Sequence, residues 1–215
     1  MTHERHRLAI TAVLAAAVVL TGCQGGSDTD SLSLSSLTKT ADAVPDDGTD
    51  SCPLPYDISE AAKTAGTDGT AGLGPAQAED APIATVEGGK RAEPGDPLAV
   101  NSGVLISCTF HIGQDDVQVH TVATRERHAI YPLAPVVSSL ASLSGNDATG
   151  YVEKAADAET GKVVSTDSGN VASVRLKLDG EGDAALLVGA GKDGHTSLSP
   201  EQVGNLAQVL AEQIQ

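Results

Sequence analysis

Apolar and polar positions alternate most clearly between Val104 and Thr124, and this period of two is the strongest structural signal in the chain. Two β-rich runs flank Gly113-Gln114-Asp115-Asp116 and predict a hairpin in which Ile112 pairs with Val117. Alternation then puts Val104, Ile106, Cys108, Phe110, Ile112, Val117 and Val119 on one face, towards a core. Ser107, Thr109, His111, Gln118 and His120 fall on the other, outward face. Further strands are predicted at 162–166, at 172–178 with Val174, Leu176 and Leu178 inward, and at 184–188. Gly/Asp turns divide them into an antiparallel meander.

Helical spacing marks three other segments. Asp57 with Glu60 three residues later forms a capping-box arrangement, followed by Ala61, Ala62 and Ala65, before Gly66 stops the helix. Val136, Val137, Leu140 and Leu143 predict a helix over 135–143, closed by Gly145-Asn146, with a short helix after it near 151–158. At the C-terminal end Ser199 caps, Pro200 takes the first helical position, Gln202 completes a capping box, and Leu198 staples onto Val203. Val203, Leu206, Leu210 and Ile214 give that helix its buried stripe. Strands followed by a packing helix predict an α+β domain: a mainly antiparallel sheet of about five strands, with helices on one face.

Between these elements the pattern fades. Residues 23–51 are rich in Ser, Thr, Asp and Gly, with leucines only at 32, 34 and 37, and read as a disordered linker. The globular domain is expected over 52–215, long enough for one core. Within it, 66–96 reads as a long irregular loop with a short strand around 83–86. Only 2% of residues are aromatic and none is Trp, so the core rests on Val, Leu, Ile and Ala, and aromatic platforms for sugars or bases are excluded.

The N-terminus carries targeting rather than fold. His3, Arg5, His6 and Arg7 precede an uncharged run from Leu8 to Leu20, the layout of a signal peptide over residues 1–22. The run is shorter than the ~20 residues of a membrane-spanning helix. It ends in Leu20-Thr21-Gly22-Cys23, which resembles the lipobox of bacterial lipoproteins. That resemblance implies a diacylglyceryl group on the Cys23 sulfur, cleavage after Gly22, and membrane attachment through the lipid on the outer face of the cytoplasmic membrane.

Net charge narrows the partners. The chain has 13 Lys+Arg against 29 Asp+Glu, a net charge of −16, and removal of 1–22 deletes two Arg and one Glu to leave −17. Nucleic acid is disfavoured as a partner, and anionic headgroups would repel the domain, so attachment rests on the lipid at Cys23. With that cysteine acylated, Cys52 and Cys108 remain as an even pair in an oxidising compartment and are expected to form a disulfide. A metal or catalytic role for them would need Cys/His companions at ligand spacing, which the sequence lacks.

Candidate chemistry is sparse. Gly189-Ala190-Gly191-Lys192-Asp193-Gly194 has the spacing of a dinucleotide-binding loop, but the next helix starts only at Pro200 and no second strand follows. It reads as a glycine-rich turn. His111 and His120 stand at a diagonal separation of roughly 7–8 Å on the outer hairpin face, two ligands of a metal site for which no third is placed. No Gly-x-Ser-x-Gly elbow and no free cysteine supplies a nucleophile, so no catalytic residue and no cofactor is assigned.

Taken together, the lipobox, Cys52-Pro53-Leu54 leading into an Ala-rich helix ending at Gly66, Cys108-Thr109-Phe110 in a strand, and the Leu198-Ser199-Pro200-Glu201-Gln202 helix start resemble small actinobacterial lipoproteins whose domain has no assigned function. Their domains are similar to extracellular sensor domains of some actinobacterial receptor kinases, which implies a structural disulfide and a sheet with an open cleft. The expectation is a non-enzymatic, tethered binding or sensor-like module for a small ligand or envelope protein. The alternative is an envelope hydrolase or a regulator of one.

Overall fold

Seven antiparallel strands are built from the β-rich runs: β1 Ala71–Leu73, β2 Ile83–Val86, β3 Gly103–Ile112, β4 Asp115–Thr124, β5 Val163–Ser165, β6 Val171–Leu176 and β7 Asp183–Ala190. They form one sheet in the order β1-β3-β4-β7-β6-β5, with β2 sharing the β1 side of β3. The computed structural model describes residues 31–45, 49–74, 83–86, 98, 102–191 and 195–215. The expected signal peptide and Cys23 therefore lie outside the described residues, as do 75–82 and 87–97 of the long loop and Lys192, Asp193 and Gly194 of the glycine run. The short strand expected at 83–86 is β2.

The hairpin is tighter than its sequence suggests. Phe110 pairs with Val117 and Ile112 with Asp115, so Gly113 and Gln114 alone turn the chain, with Gly113 at φ 61°. The expected pairing of Ile112 with Val117 is off by two residues, and a two-residue shift preserves the faces. Val104, Ile106, Cys108, Phe110, Ile112, Val117 and Val119 all enter one core. Asp115 belongs to the strand because its carboxylate is engaged elsewhere: the Ser197 hydroxyl and N–H and the Thr196 hydroxyl donate to it at 2.6, 2.7 and 2.9 Å.

Helices cover both faces of the sheet, a correction to the expected single helical layer. On the face of Ile106 and Phe110 lie α1 (Leu34–Asp42), α2 (Ile58–Thr64) and α5 (Pro200–Gln213). On the opposite face a 3-10 turn, Tyr131–Leu133, leads into α3 (Ala134–Ala141) and α4 (Gly145–Ala156), which enclose Val122, Leu187 and Val171 in a second core. Double coverage explains β7, buried at all eight positions. Gly189 lies in that strand where α3 crosses it, and an added Cβ would collide with the Leu140 side chain. Gly145-Asn146 opens α4, capped by Ser144, instead of closing α3, which ends at Ser142 in the left-handed region, φ 51°.

The largest departure from the sequence reading is at the start of the fold. Residues 31–45, inside the segment expected to be linker, pack onto the sheet: Leu37 and Ala41 of α1, with Leu32 and Val44 flanking it, are buried in the first core. Ser33 caps the helix in a reciprocal box with Ser36. The Asp179 N–H donates to the Leu32 carbonyl at 2.7 Å and fixes the entry strand against the β6–β7 turn. The folded unit therefore begins well before Cys52. Leu34, Leu37, Ala41 and Val44 recur at helical spacing, and that stripe is what folds the segment.

Covalent and ionic ties complete the frame. Cys52 and Cys108 form the expected disulfide, with Cα atoms 5.3 Å apart, fastening the chain before α2 to the middle of β3. On the other face, buried Asp183 accepts hydrogen bonds from the N–H groups of His128 and Ala129 at 2.8 and 3.0 Å and pairs with Arg175 Nε at 2.8 Å. It holds His128 at φ 73°, where its ring stacks on Tyr131 with centroids 4.9 Å apart.

Candidate functional site along the first helix

A depression runs along α1. One wall is the helix with the turn after it, presenting Ser36, Lys39, Thr40, Ala43 and Val44, and the other is the segment 49–55, presenting Thr49, Pro53, Leu54 and Pro55. It consists of two cavities of about 460 and 350 Å³ that share Ser36 and Thr40 and are together called the trough. Leu32 and Leu37 line its inner half, and Glu212, Gln213, Ile214 and Gln215 at the end of α5 close it. Volumes of this size suit small organic ligands.

Each wall is held from below. Leu37 and Ala41 seat α1 on the core, and the opposite wall is fixed by the Cys52–Cys108 bridge and by Tyr56. The Tyr56 ring meets Phe110 edge-on at 6.4 Å, and its hydroxyl bonds Thr121 at 2.5 Å. Tyr56 as a whole is half-buried, but that hydroxyl end is enclosed, and burial pushes the phenol well above its ordinary pKa. Gln213 ties the far end to the start of α2 through both the N–H and the carbonyl of Asp57.

Polar atoms in the trough are largely occupied. The Ser36 hydroxyl donates to the Ser33 carbonyl at 2.9 Å and accepts from the Ser33 N–H at 3.0 Å, while the Thr40 hydroxyl donates to the Ser36 carbonyl at 3.0 Å. What the trough offers a ligand is therefore apolar surface from Leu, Val, Ala and Pro side chains. Among the described lining residues Lys39 is the one cation and Glu212 the one anion.

The residues singled out from sequence are distributed differently. His111 and His120 lie on the same face as expected, but the two-residue shift sets them four residues apart along the ladder, roughly 13 Å. They do not share a site: His111 Nδ1 bonds the Leu73 carbonyl at 2.8 Å. Among the described residues, no group of three His, Cys, Asp or Glu side chains is placed to hold a metal ion. His120, expected to point outward, is 8% exposed because the second face is covered too. The Ser107 hydroxyl meets its Nδ1 at 2.8 Å and Gln118 Oε1 lies 3.3 Å from Nε2, which suits the neutral Nε2–H tautomer. Burial lowers its pKa to about 4.

That Ser107–His120 contact is the nearest approach to a nucleophile and base in the described residues. It is a weak one, since Gln118 offers no charge to stabilise an imidazolium. A second arrangement, which the reading of the sequence missed, sits in the trough: Ser36-Leu37-Thr38-Lys39 has the spacing of a Ser-x-x-Lys nucleophile motif on one turn of α1. Its serine hydroxyl is committed to the helix cap, as described above. A third cavity, about 500 Å³, lies across α4 and the β5–β6 turn, with Asp147, Lys154 and Asp167 on its rim and Leu143 and Tyr151 in its wall. The Tyr151 hydroxyl donates to the Val164 carbonyl and the Ser173 hydroxyl, each at 2.9 Å, and so is part of the core.

Gly191, from the glycine run, has φ 70° and lies against the His195 carbonyl, which leaves no space for a Cβ. It is a bend directly after β7. The sequence reading placed no site on α1, because it took that segment for linker; the 34-37-41-44 spacing behind the Ser33 cap was the available signal. No protein-family model, curated protein or solved structure matches the chain.

Proposed function

We propose that this chain is a lipid-anchored binding module of the bacterial cell envelope, non-enzymatic and sensor-like, with the trough between α1 and residues 49–55 as its ligand site. The lipobox-like Leu20-Thr21-Gly22-Cys23 supports the anchor, and the trough supports binding over catalysis. It is the observation on which the reading rests: two fixed walls, mainly apolar lining, and hydroxyls already engaged. Such a site recognises by shape and burial, without a group set up to move a proton or attack a bond. A thermal-shift comparison of fractionated envelope extracts tests it. A fraction that binds the native state raises the melting temperature of the wild-type protein, and filling the trough with Thr40→Trp abolishes that rise. If no fraction stabilises wild type more than Thr40→Trp, the binding reading fails.

The Ser107–His120 contact favours a second reading, an envelope hydrolase. A fluorophosphonate probe decides it, since an activated serine forms a stable adduct. No adduct on Ser107 or Ser36 retires that reading; an adduct on either, lost in the matching Ser→Ala variant, would replace the binding module with an enzyme.

A further inference from the structure

From the lining and position of the trough we infer that its ligand is an acyl chain of a bilayer lipid. This deepens the binding reading above and rests on it and on the anchor at Cys23. Extent comes first. The lining runs along α1 from Ser36 to the turn at Val44 and on to Leu32 and Ile214, a length of surface that an extended chain can follow.

Chemistry points the same way. A hydrogen-bonding ligand would meet few free partners, because the Ser36 and Thr40 hydroxyls are bonded within α1. A methylene chain needs none and gains from burial against the more open apolar lining, Ala43, Pro45, Pro53, Pro55 and Ile214.

Position supplies the source of the ligand. Ser31 precedes Leu32 at the edge of the trough, and Cys23 is only eight residues upstream. Eight residues reach at most ~29 Å whatever their conformation. An acylated Cys23 therefore keeps this trough within one tether length of the bilayer, where lipid is the most concentrated apolar solute.

The test uses the full lipid-anchored chain in phosphatidylcholine vesicles containing a phosphatidylglycerol with a diazirine near the end of one acyl chain. Irradiation, digestion and mass spectrometry locate the adducts. They are expected within 36–45 and 49–55, falling roughly tenfold in Thr40→Trp, as expected when a ring displaces several buried methylenes. A zwitterionic photo-lipid should label the same residues as the phosphatidylglycerol, because the acyl chain and not the headgroup fills the site. Circular dichroism confirms that each variant is folded, and Ala43→Trp, at an exposed lining position, replaces Thr40→Trp if the latter is not. Adducts outside the trough, or adducts indifferent to both substitutions, overturn the inference, as they would if the chain's own acyl group or a partner protein filled the site. In that case a stabilising envelope fraction would leave the binding reading standing. A chain that fails to associate with vesicles at all overturns both the anchor and the inference that depends on it.

Discussion

A histidine enclosed between two strands gives the molecule its most specific pH response. His120 accepts from the Ser107 hydroxyl through Nδ1 and is held neutral by burial, with a pKa lowered from 6.5 to about 4. Between those values the unfolded chain binds a proton that the folded chain refuses, so stability rises with pH across this window and is lost as pH falls through it. The loss by the acid end is on the order of 3 kcal/mol. Urea titrations at pH 7 and pH 5 should show a lower midpoint at pH 5, and His120→Gln should flatten the difference. Equal midpoints for the wild-type protein would mean that the imidazole is accessible. Asp115 behaves oppositely. Burial works against its charge, but hydrogen bonds from the Ser197 hydroxyl and N–H and from Thr196 outweigh that and hold it below the usual carboxylate range. Its contribution is present at neutral pH and fades only as pH drops through that lowered value.

Among the elements, those with chemical end-markers were legible and those defined by what covers them were not. Asp57 and Ser199 accept from the third N–H of α2 and α5, but the reciprocal box forms only at Ser199 with Gln202, since the Asp57 N–H donates to Gln213 instead of Glu60; the stripe Val203-Leu206-Leu210 is buried. The inward face of the hairpin followed from period two, and the α+β class from the order of elements. The turn was misjudged because Asp115 and Asp116 resemble loop residues, while the hydroxyls that hold Asp115 in the strand come from 81 and 82 residues away. Double coverage was written in the unbroken apolar run of β7, which one-sided burial does not require. The α1 segment was hidden by its serines and threonines, several of which satisfy their own helix: Ser33 and Ser36 by capping, Thr38 and Thr40 by bonding the carbonyls of Leu34 and Ser36. Leu37→Ala tests this element. Leu37 is 2% exposed, so truncation should cost roughly 2–4 kcal/mol in chemical denaturation. A linker residue would show no change, and a silent Leu37→Ala would detach α1, and the trough with it, from the fold.

For the whole molecule, the proposed reading makes anchor, wall and sheet one mechanical series from Cys23 to β3. On that reading eight residues, instead of a 28-residue linker, separate Cys23 from the packed residues 31–45, which would keep the site on α1 close to the membrane. Among the described residues no helix is long and apolar enough to cross a membrane. Cys23→Ala should leave the protein unprocessed or released into the medium, as membrane fractionation would show. A matured Cys23→Ala chain that stays in the membrane fraction would end the lipoprotein reading.

The other end of the series is the Cys52–Cys108 bridge, and its removal should affect stability and the site together. It closes a loop across a sequence separation of 56 residues, worth about 4 kcal/mol in the chain-entropy model, a large share of the stability of a domain this size. The bridge also fastens the wall carrying Pro53, Leu54 and Pro55 to β3. The double variant Cys52→Ser/Cys108→Ser should therefore melt well below wild type, and photo-lipid labelling of 49–55 should fall further than labelling of 36–45, since α1 keeps its own seat on Leu37 and Ala41. Differential scanning calorimetry and adduct mapping on the same samples separate the two effects. If melting is unchanged, the bridge does not constrain the fold. If both walls lose label in parallel, the trough depends on global stability and not on this clamp.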